Sequence, residues 1–247
     1  MEPTPEISFI IPAYNEELLL PRTLSSLKVA LKGKAVDFEI IVVDNNSSDN
    51  SAQVALDSGA GKTVFEPVNS ISKARNAGAK AALGKLLVFI DADTCIDSAL
   101  VDELLRETAS GKVCGGGARL AFDAELPHLA KFSTWLWNSV APALGFAAGS
   151  FSFCSREAFD AVCGFDEGLY ASEDIDLSRR LKSWGRKNGL RFIILRNSAL
   201  SSARRIDSAS VWPLFFKMGL LLLTPWRLRS RKACSLWYDH TNRDVRS

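Results

Sequence analysis

The run Leu86-Leu87-Val88-Phe89-Ile90 breaks off into Asp91-Ala92-Asp93, and this junction constrains the fold more than any other part of the chain. Five consecutive apolar residues with no polar alternation describe a strand buried on both faces, as in a parallel sheet covered by helices. Two carboxylates at its end then fall where open α/β sheets bind their ligands, beyond the carboxyl ends of the strands. Earlier segments repeat the arrangement. Ile7 to Pro12 reads as a buried strand, and Glu16 to Leu31 places Leu18, Leu19, Thr23, Leu24, Leu27 and Leu31 at mostly helical spacing. Phe38 to Val43 is a second strand, stopping at the polar loop Asp44 to Asp49, which can cap a helix near Ser51 to Ser58. Thr63 to Phe65 reads as a third strand and Ile71 to Leu83 as a helix closed by Gly84.

The middle is less regular. Ser98 to Glu107 is helix-like, and Lys112 to Phe122, with Gly115-Gly116-Gly117, reads as a strand whose backbone approaches something closely. Leu126 to Phe146 is rich in Trp, Leu and Ala, with Trp135, Trp137 and Phe146 either lining a cleft or, as expected, lying in the core; Ala147 to Ser152 is small and loop-like. Ser155 to Val162 and Ile175 to Trp184 are expected helices, and Arg191 to Leu195 a strand. The pattern predicts an α/β fold with a mostly parallel central sheet flanked by helices. We divide it into a main α/β domain over 1–205, with halves of about 1–110 and 111–205, and an apolar and basic extension over 206–247.

A formal net charge of +2 is too slight for nucleic acid, whose partners carry a concentrated basic surface. Five widely spaced cysteines with no CxxC pair suggest neither a disulfide scaffold nor a zinc site, and fit a reducing cytoplasm. The N-terminal segment lacks the basic and apolar regions of a signal peptide.

Hard oxygens spaced as in Asp91-Ala92-Asp93 suit Mg²⁺ or Mn²⁺, which keeps several waters and takes few protein ligands when it also binds phosphates. The same pair could simply cap the following helix. A second acidic cluster, Glu173-Asp174 with Asp176, precedes an amphipathic helix. A carboxylate there can accept the proton of an attacking hydroxyl, with Asp174 the candidate, although acids in a first helical turn are also favoured by the helix dipole.

Four ordered segments together resemble the family 2 glycosyltransferases of GT-A fold: ISFIIPAYNEE, EIIVVDNNSSDNS, SKARNAGAKAALGKLLVFIDADT and GSFSFCSREAFDAVCGFDEGLYASEDIDLSRRL. They cover most of residues 7 to 182 in family order. The resemblance implies a GT-A, Rossmann-like fold and inverting transfer from a nucleotide diphosphate sugar, a UDP-sugar by preference. It also implies roles for individual residues. Pro12, Ala13, Tyr14 and Glu16 would line the nucleoside pocket, and Asp44 would bond the base or ribose. Arg75 would face the base or diphosphate, and Asp91 with Ala92 the ribose or metal. Asp93 would bind the metal, with Asp91 assisting. Asp174 would deprotonate the acceptor, Glu173 would position acceptor or donor sugar, and Gly149 with Ser150 would let the backbone approach the sugar.

No QxxRW segment, the mark of processive members, follows Asp174, so single additions are expected. His240 is a further candidate metal ligand, against a solvated tail residue. Arg204 and Arg205 could clamp the diphosphate or lie on the surface. Val211 to Trp226 is apolar apart from Lys217 and Thr224, too short to span a bilayer, and is followed by four basic residues up to Lys232. Residues 211–232 therefore read either as an interfacial helix on the inner face of a membrane or as a cover on the core. The acceptor is expected to be a carbohydrate or a lipid-linked molecule in polysaccharide or glycolipid assembly. Two rivals stay open: a nucleotidyltransferase, which would carry a Gly-rich phosphate loop that residues 12–20 lack, and a non-catalytic binder of a nucleotide sugar or partner protein.

Overall fold

A computed structural model describes residues 5–144, 147, 150–205, 228–230 and 234. Gly149, His240, Phe146 and the apolar stretch Val211 to Trp226 lie outside the described residues.

The expected strands form β1 (Ile7–Ala13), β2 (Phe38–Asp44), β3 (Lys62–Phe65) and β4 (Leu86–Ile90). They are mutually parallel, with Ile7 opposite both Phe38 and Leu86, and Asp44 opposite both Ala13 and Phe65. Their carboxyl ends therefore emerge along one edge. Two strands had no counterpart in the sequence reading: β5 (Thr94–Cys95) and β7 (Phe151–Ser155). Residues 151–152, read above as loop, belong to β7, which runs antiparallel to β4 and to β6 (Val113–Phe122). β8 (Arg191–Ser201) lies parallel to β6 and continues six residues past Leu195. The sheet order is β3-β2-β1-β4-β7-β6-β8-β5, and four of its seven pairings are parallel.

The sheet alternates its side chains between two cores, as the two-residue strand period requires. Phe9, Ile11, Val42, Val88 and Ile90 meet α1 (Leu20–Leu31) and α4 (Ser98–Thr108) on one face. Ile10, Ile41, Val43, Leu87 and Phe89 meet α3 (Ile71–Ala81), α6 (Arg156–Ala161) and α7 (Glu173–Lys187) on the other. The remaining helices are α2 (Ser51–Asp57) and α5 (His128–Leu144).

Local chemistry explains the shifted boundaries. α1 starts at Leu20 rather than Glu16 because Asn15 is left-handed (φ 52) and Pro21 fits the first turn. α3 ends in an extended Ala82, and the Arg156 guanidinium donates to the carbonyls of Ala79, Ala82 and Gly84 at 3.0, 2.8 and 3.1 Å. Gly84 is thus no left-handed cap. It is needed because a Cβ there would lie 2.6 Å from the Ser8 nitrogen. Gly116 does meet a close approach, as its strand pattern predicts: a Cβ would stand 2.1 Å from the Ile193 oxygen and 2.7 Å from the Phe153 ring. Trp135 departs from expectation. It is 62% exposed and stacks on Phe132 with centroids 5.7 Å apart, because α5 turns this face away from the sheet. All five cysteines are free thiols.

Candidate functional site

The sequence SKARNAG puts Arg75 on the buried stripe of α3, beside Ser72, Ala74, Gly78 and Ala79. Small neighbours let the helix lie close to the sheet, so the guanidinium is 3% exposed and must find buried partners. It finds two carboxylates. Nη2 donates to Asp91 Oδ1 at 2.9 Å and Nη1 to Glu173 Oε1 at 2.8 Å, while the guanidinium carbon stands 5.3 Å over the Phe165 ring. Burial works against the Arg75 charge, but Asp91 and Glu173 outweigh it and hold the group protonated. Glu173 receives only a share of that charge. Burial, reinforced by Asp174 beside it, pushes its carboxyl up to about 7 against the pull of Arg75.

A second arginine makes a similar bridge. β5 pairs Thr94 with Ser201 of β8, and the Ser202 amide donates to the Asp93 carbonyl at 3.1 Å. This delivers the turn Ala203–Arg205 to the acidic pair. Arg204 Nη2 is hydrogen-bonded to Glu16 Oε1 and lies 3.4 Å from Asp93 Oδ2. The acidic turn is itself fixed on several sides. The Asp91 amide donates to the Ser150 carbonyl at 3.0 Å, the Thr94 amide to the Asp91 carbonyl at 3.0 Å, and Thr23 Oγ1 to the Ala92 carbonyl at 2.8 Å. The Ser150 hydroxyl is buried and has no hydrogen-bond partner among the described residues.

At the adjoining strand ends, Ala13 and Asp44 are partners in the ladder, so the loops after β1 and β2 leave the sheet side by side. Asp44 Oδ1 accepts the Ser47 amide at 2.9 Å, and Asn15 Oδ1 accepts the Ser48 amide at 2.8 Å. The Glu16 amide donates to Ser51 Oγ at 2.7 Å. Pro12 and Tyr14 are half-buried beside them. Asp174 follows Glu173 in the first turn of α7, where its Oδ1 accepts the Ile175 amide at 2.7 Å. It lines a cavity of about 10 Å³ with Phe89, Ser152 and Ser178, room for about one water rather than a sugar.

Hydrogen bonds thus join Arg75, Asp91, Glu173 and Ser150 in one group, and Arg204 joins Glu16 to Asp93 in another. Phe165, beneath Arg75, is a member the sequence reading did not single out. Among the described residues no group of three or more His, Cys, Asp or Glu is arranged to hold a metal ion. Asp91 and Asp93 alone offer hard oxygens on one turn, a small donor set of the kind Mg²⁺ or Mn²⁺ accepts when phosphates and water complete the shell.

A family model described as Glycosyl transferase family 2 matches residues 8–163. The chain is 31% identical over 113 residues to the uncharacterized glycosyltransferase EpsJ of Bacillus subtilis strain 168, covering 44% of this chain and 32% of that one. It is 34% identical over 115 residues to undecaprenyl-phosphate 4-deoxy-4-formamido-L-arabinose transferase of Pseudomonas fluorescens strain SBW25, covering 42% and 33%. The matches span about a third of the length of these relatives. The fold is similar to mannosyltransferase PcManGT from Pyrobaculum calidifontis in complex with GDP-Man and Mn²⁺, with a TM-score of 0.68 at 16% identity, covering 95% of this chain and 65% of that one. It is also similar to S. aureus TarS 1-349 in complex with UDP-GlcNAc, with a TM-score of 0.64 at 18% identity, covering 83% and 61%. At these identities the likeness is one of fold, and the fold is GT-A. Because the family match extends over residues 8–163, more than half the chain, this protein belongs to glycosyl transferase family 2.

Proposed function

We propose that the chain transfers a single sugar from a nucleotide diphosphate donor, a UDP-sugar by preference, to an acceptor hydroxyl with inversion at the anomeric carbon. The observation that carries this reading is the buried group of Asp91, Arg75 and Glu173. One guanidinium holds a carboxylate at the tip of β4 and another at the start of α7. The acids of the two halves of the fold are thereby kept in fixed relation, as an in-line displacement requires.

In this reading Pro12, Ala13, Tyr14, Glu16 and Asp44 bind the nucleoside at the ends of β1 and β2. Asp91 and Ala92 meet the ribose, and Asp93, assisted by Asp91, would hold Mn²⁺ or Mg²⁺. The cation would supply positive charge that stabilises the departing nucleoside diphosphate. Arg204, now on Glu16 and Asp93, is within reach of the same phosphates and turns toward them as the donor arrives. Ser150, with its orphaned hydroxyl beside Asp91, and Gly149 take the donor sugar. Asp174 accepts the acceptor's proton, and Glu173, tied to Arg75, orients the reacting groups. His240 is the candidate for a further ligand from the C-terminal region.

The relative that acts on undecaprenyl-phosphate supports a carbohydrate or lipid-linked acceptor, and with it a role in polysaccharide or glycolipid assembly. Among the described residues no helix is long and apolar enough to cross a membrane. A cytoplasmic protein resting on the inner face of the membrane through residues 211–232 fits this acceptor class.

The test is a thermal-shift screen of UDP, GDP, dTDP, CDP and ADP, each with Mn²⁺ or EDTA, on wild type and Asp93→Ala. Ligand binding raises apparent stability by mass action, so a selective, metal-dependent shift lost in the variant is expected. No shift with any nucleotide refutes the donor site. Asp174→Asn should keep the nucleotide shift and lose transfer by roughly 10²-fold or more; unchanged transfer removes Asp174 as the base.

A further inference from the structure

We infer that Leu228, Arg229 and Cys234 form a clip that positions the acceptor-side carboxylates Glu173 and Asp174 for reaction. The inference rests on the reading of Asp174 as the base. The loop from Val162 to Ser172, which joins α6 to α7, holds two non-glycine residues in the left-handed region, Cys163 (φ 61) and Ser172 (φ 60). Each such residue costs about 1–2 kcal/mol and persists only where its surroundings impose it. Ser172 immediately precedes Glu173, so its backbone sets the direction in which the first turn of α7 presents both acids.

Three sets of contacts hold the loop that leads into Ser172. From α3, the Asn76 side chain accepts the Phe165 amide and donates to the Phe165 carbonyl, both at 2.9 Å, and Ser72 Oγ donates to the Leu169 carbonyl at 3.0 Å. From α7, Arg180 Nη1 donates to the carbonyls of Val162 and Gly164 at 2.6 and 2.7 Å. The stretch from Asp166 to Ala171 is held from the C-terminal side. The Tyr170 amide donates to the Leu228 carbonyl at 2.8 Å, Arg229 Nη2 pairs with Asp166 Oδ2 at 2.7 Å, and Cys234, wholly buried, packs with Ala171, Tyr170 and Leu228. A Cβ on Gly168 would come within 2.4 Å of Arg229 Nη1, so that side chain lies directly across the loop. Burial raises the Cys234 thiol pKa and the Glu173 charge adds to the effect.

Such a clip adds little to global stability, because Arg229 is more than half exposed and exposed ion pairs contribute little. Geometry at the acids is the sensitive quantity, since a displacement of about 1 Å can lower a rate roughly 10²-fold. In the surface variant Arg229→Asp the signature is therefore a loss of kcat with donor KM and melting temperature preserved, whereas Cys234→Asp buries a carboxylate and lowers the melting temperature as well.

The experiment uses the full chain and compares wild type, Arg229→Asp, the reciprocal pair Asp166→Arg with Arg229→Asp, and Cys234→Asp. Amide hydrogen exchange over residues 166–174 and UDP release from UDP-glucose with Mn²⁺ are followed together. Both single variants should speed exchange at residues 168–172 and lower kcat, Cys234→Asp approaching the roughly 10²-fold limit and Arg229→Asp by less. The reciprocal pair should restore both. Should Cys234→Asp fail to fold, the surface variant Arg229→Asp decides. Unchanged exchange in Arg229→Asp, or faster exchange with unchanged kcat, overturns the clip. A wild type that releases no UDP counts against glucose as the sugar or water as the acceptor, and exchange then decides the clip alone.

Discussion

Replacing Arg75 by methionine keeps most of the buried volume and removes a charge shared by two carboxylates. Glu173 is left with 8% of its side chain exposed and Asp91 with 31%, so at least one buried carboxylate loses its compensation. Breaking a buried pair from one side costs about 3–5 kcal/mol. For a chain of 247 residues this corresponds to a fall in Tm of about 6–10 °C. The loss should also depend on pH. Burial already lifts the folded-state Glu173 pKa to about 7, above its unfolded value, so the folded chain binds more protons across that window. Its contribution to stability is present below the unfolded pKa and is lost as pH rises through the folded one. Without Arg75 the folded pKa climbs further and the loss extends to higher pH. Differential scanning calorimetry of both proteins at about pH 5.5 and about pH 8 should show the Tm gap widening with pH. A gap that is equal at the two pH values, or below about 2 °C, refutes the claim that Arg75 compensates a buried Glu173.

Arg204→Ala should lower Tm, since it withdraws a positive charge from Glu16, whose side chain is 7% exposed, and raise the donor KM roughly 3- to 10-fold in steady-state assays. A lower KM would mean that Arg204 merely blocks Asp93. Gly116→Ala should cost about 3 kcal/mol or more in urea unfolding, because the new Cβ meets the Ile193 oxygen, a backbone atom with no room to yield. Trp135→Ser should change stability by no more than about 0.5 kcal/mol in the same assay, as expected for an exposed position, and a larger loss would place this face in an interface.

β1, β4 and the centre of β2 were legible because they are buried on both faces, so their apolar runs are nearly unbroken. In β1, Phe9 and Ile11 face one core and Ile10 the other, and its polar residue is Ser8, whose hydroxyl donates to Glu39 at 2.7 Å. β7 and the end of β8 carry no such signal. Phe151–Ser155 is short and follows a run of small residues, and Arg196–Ser201 is largely polar. Both are strands because they pair with β6, across a register shift at Ala118 and Arg119 in the case of β8. Pairing of that kind is decided by segments dozens of residues away, which a local pattern cannot report.

The site divides along the same line. Asp91, Asp93, Glu173 and Asp174 stand out as acids at the ends of apolar elements, and their residue types alone suggest cation binding and proton transfer. What joins them is less visible: Arg75 has its partners 16 and 98 positions away. A partial signal did exist. Ser72, Arg75 and Ala79 fall on one helical stripe with Gly78, a stripe of small residues that brings the helix against the sheet. An arginine in such a stripe cannot reach solvent, and a buried guanidinium without a carboxylate would cost too much to persist. The spacing therefore required acidic partners for Arg75 from elsewhere in the chain, although only the folded arrangement identifies them as the acid at the tip of β4 and the acid that opens α7.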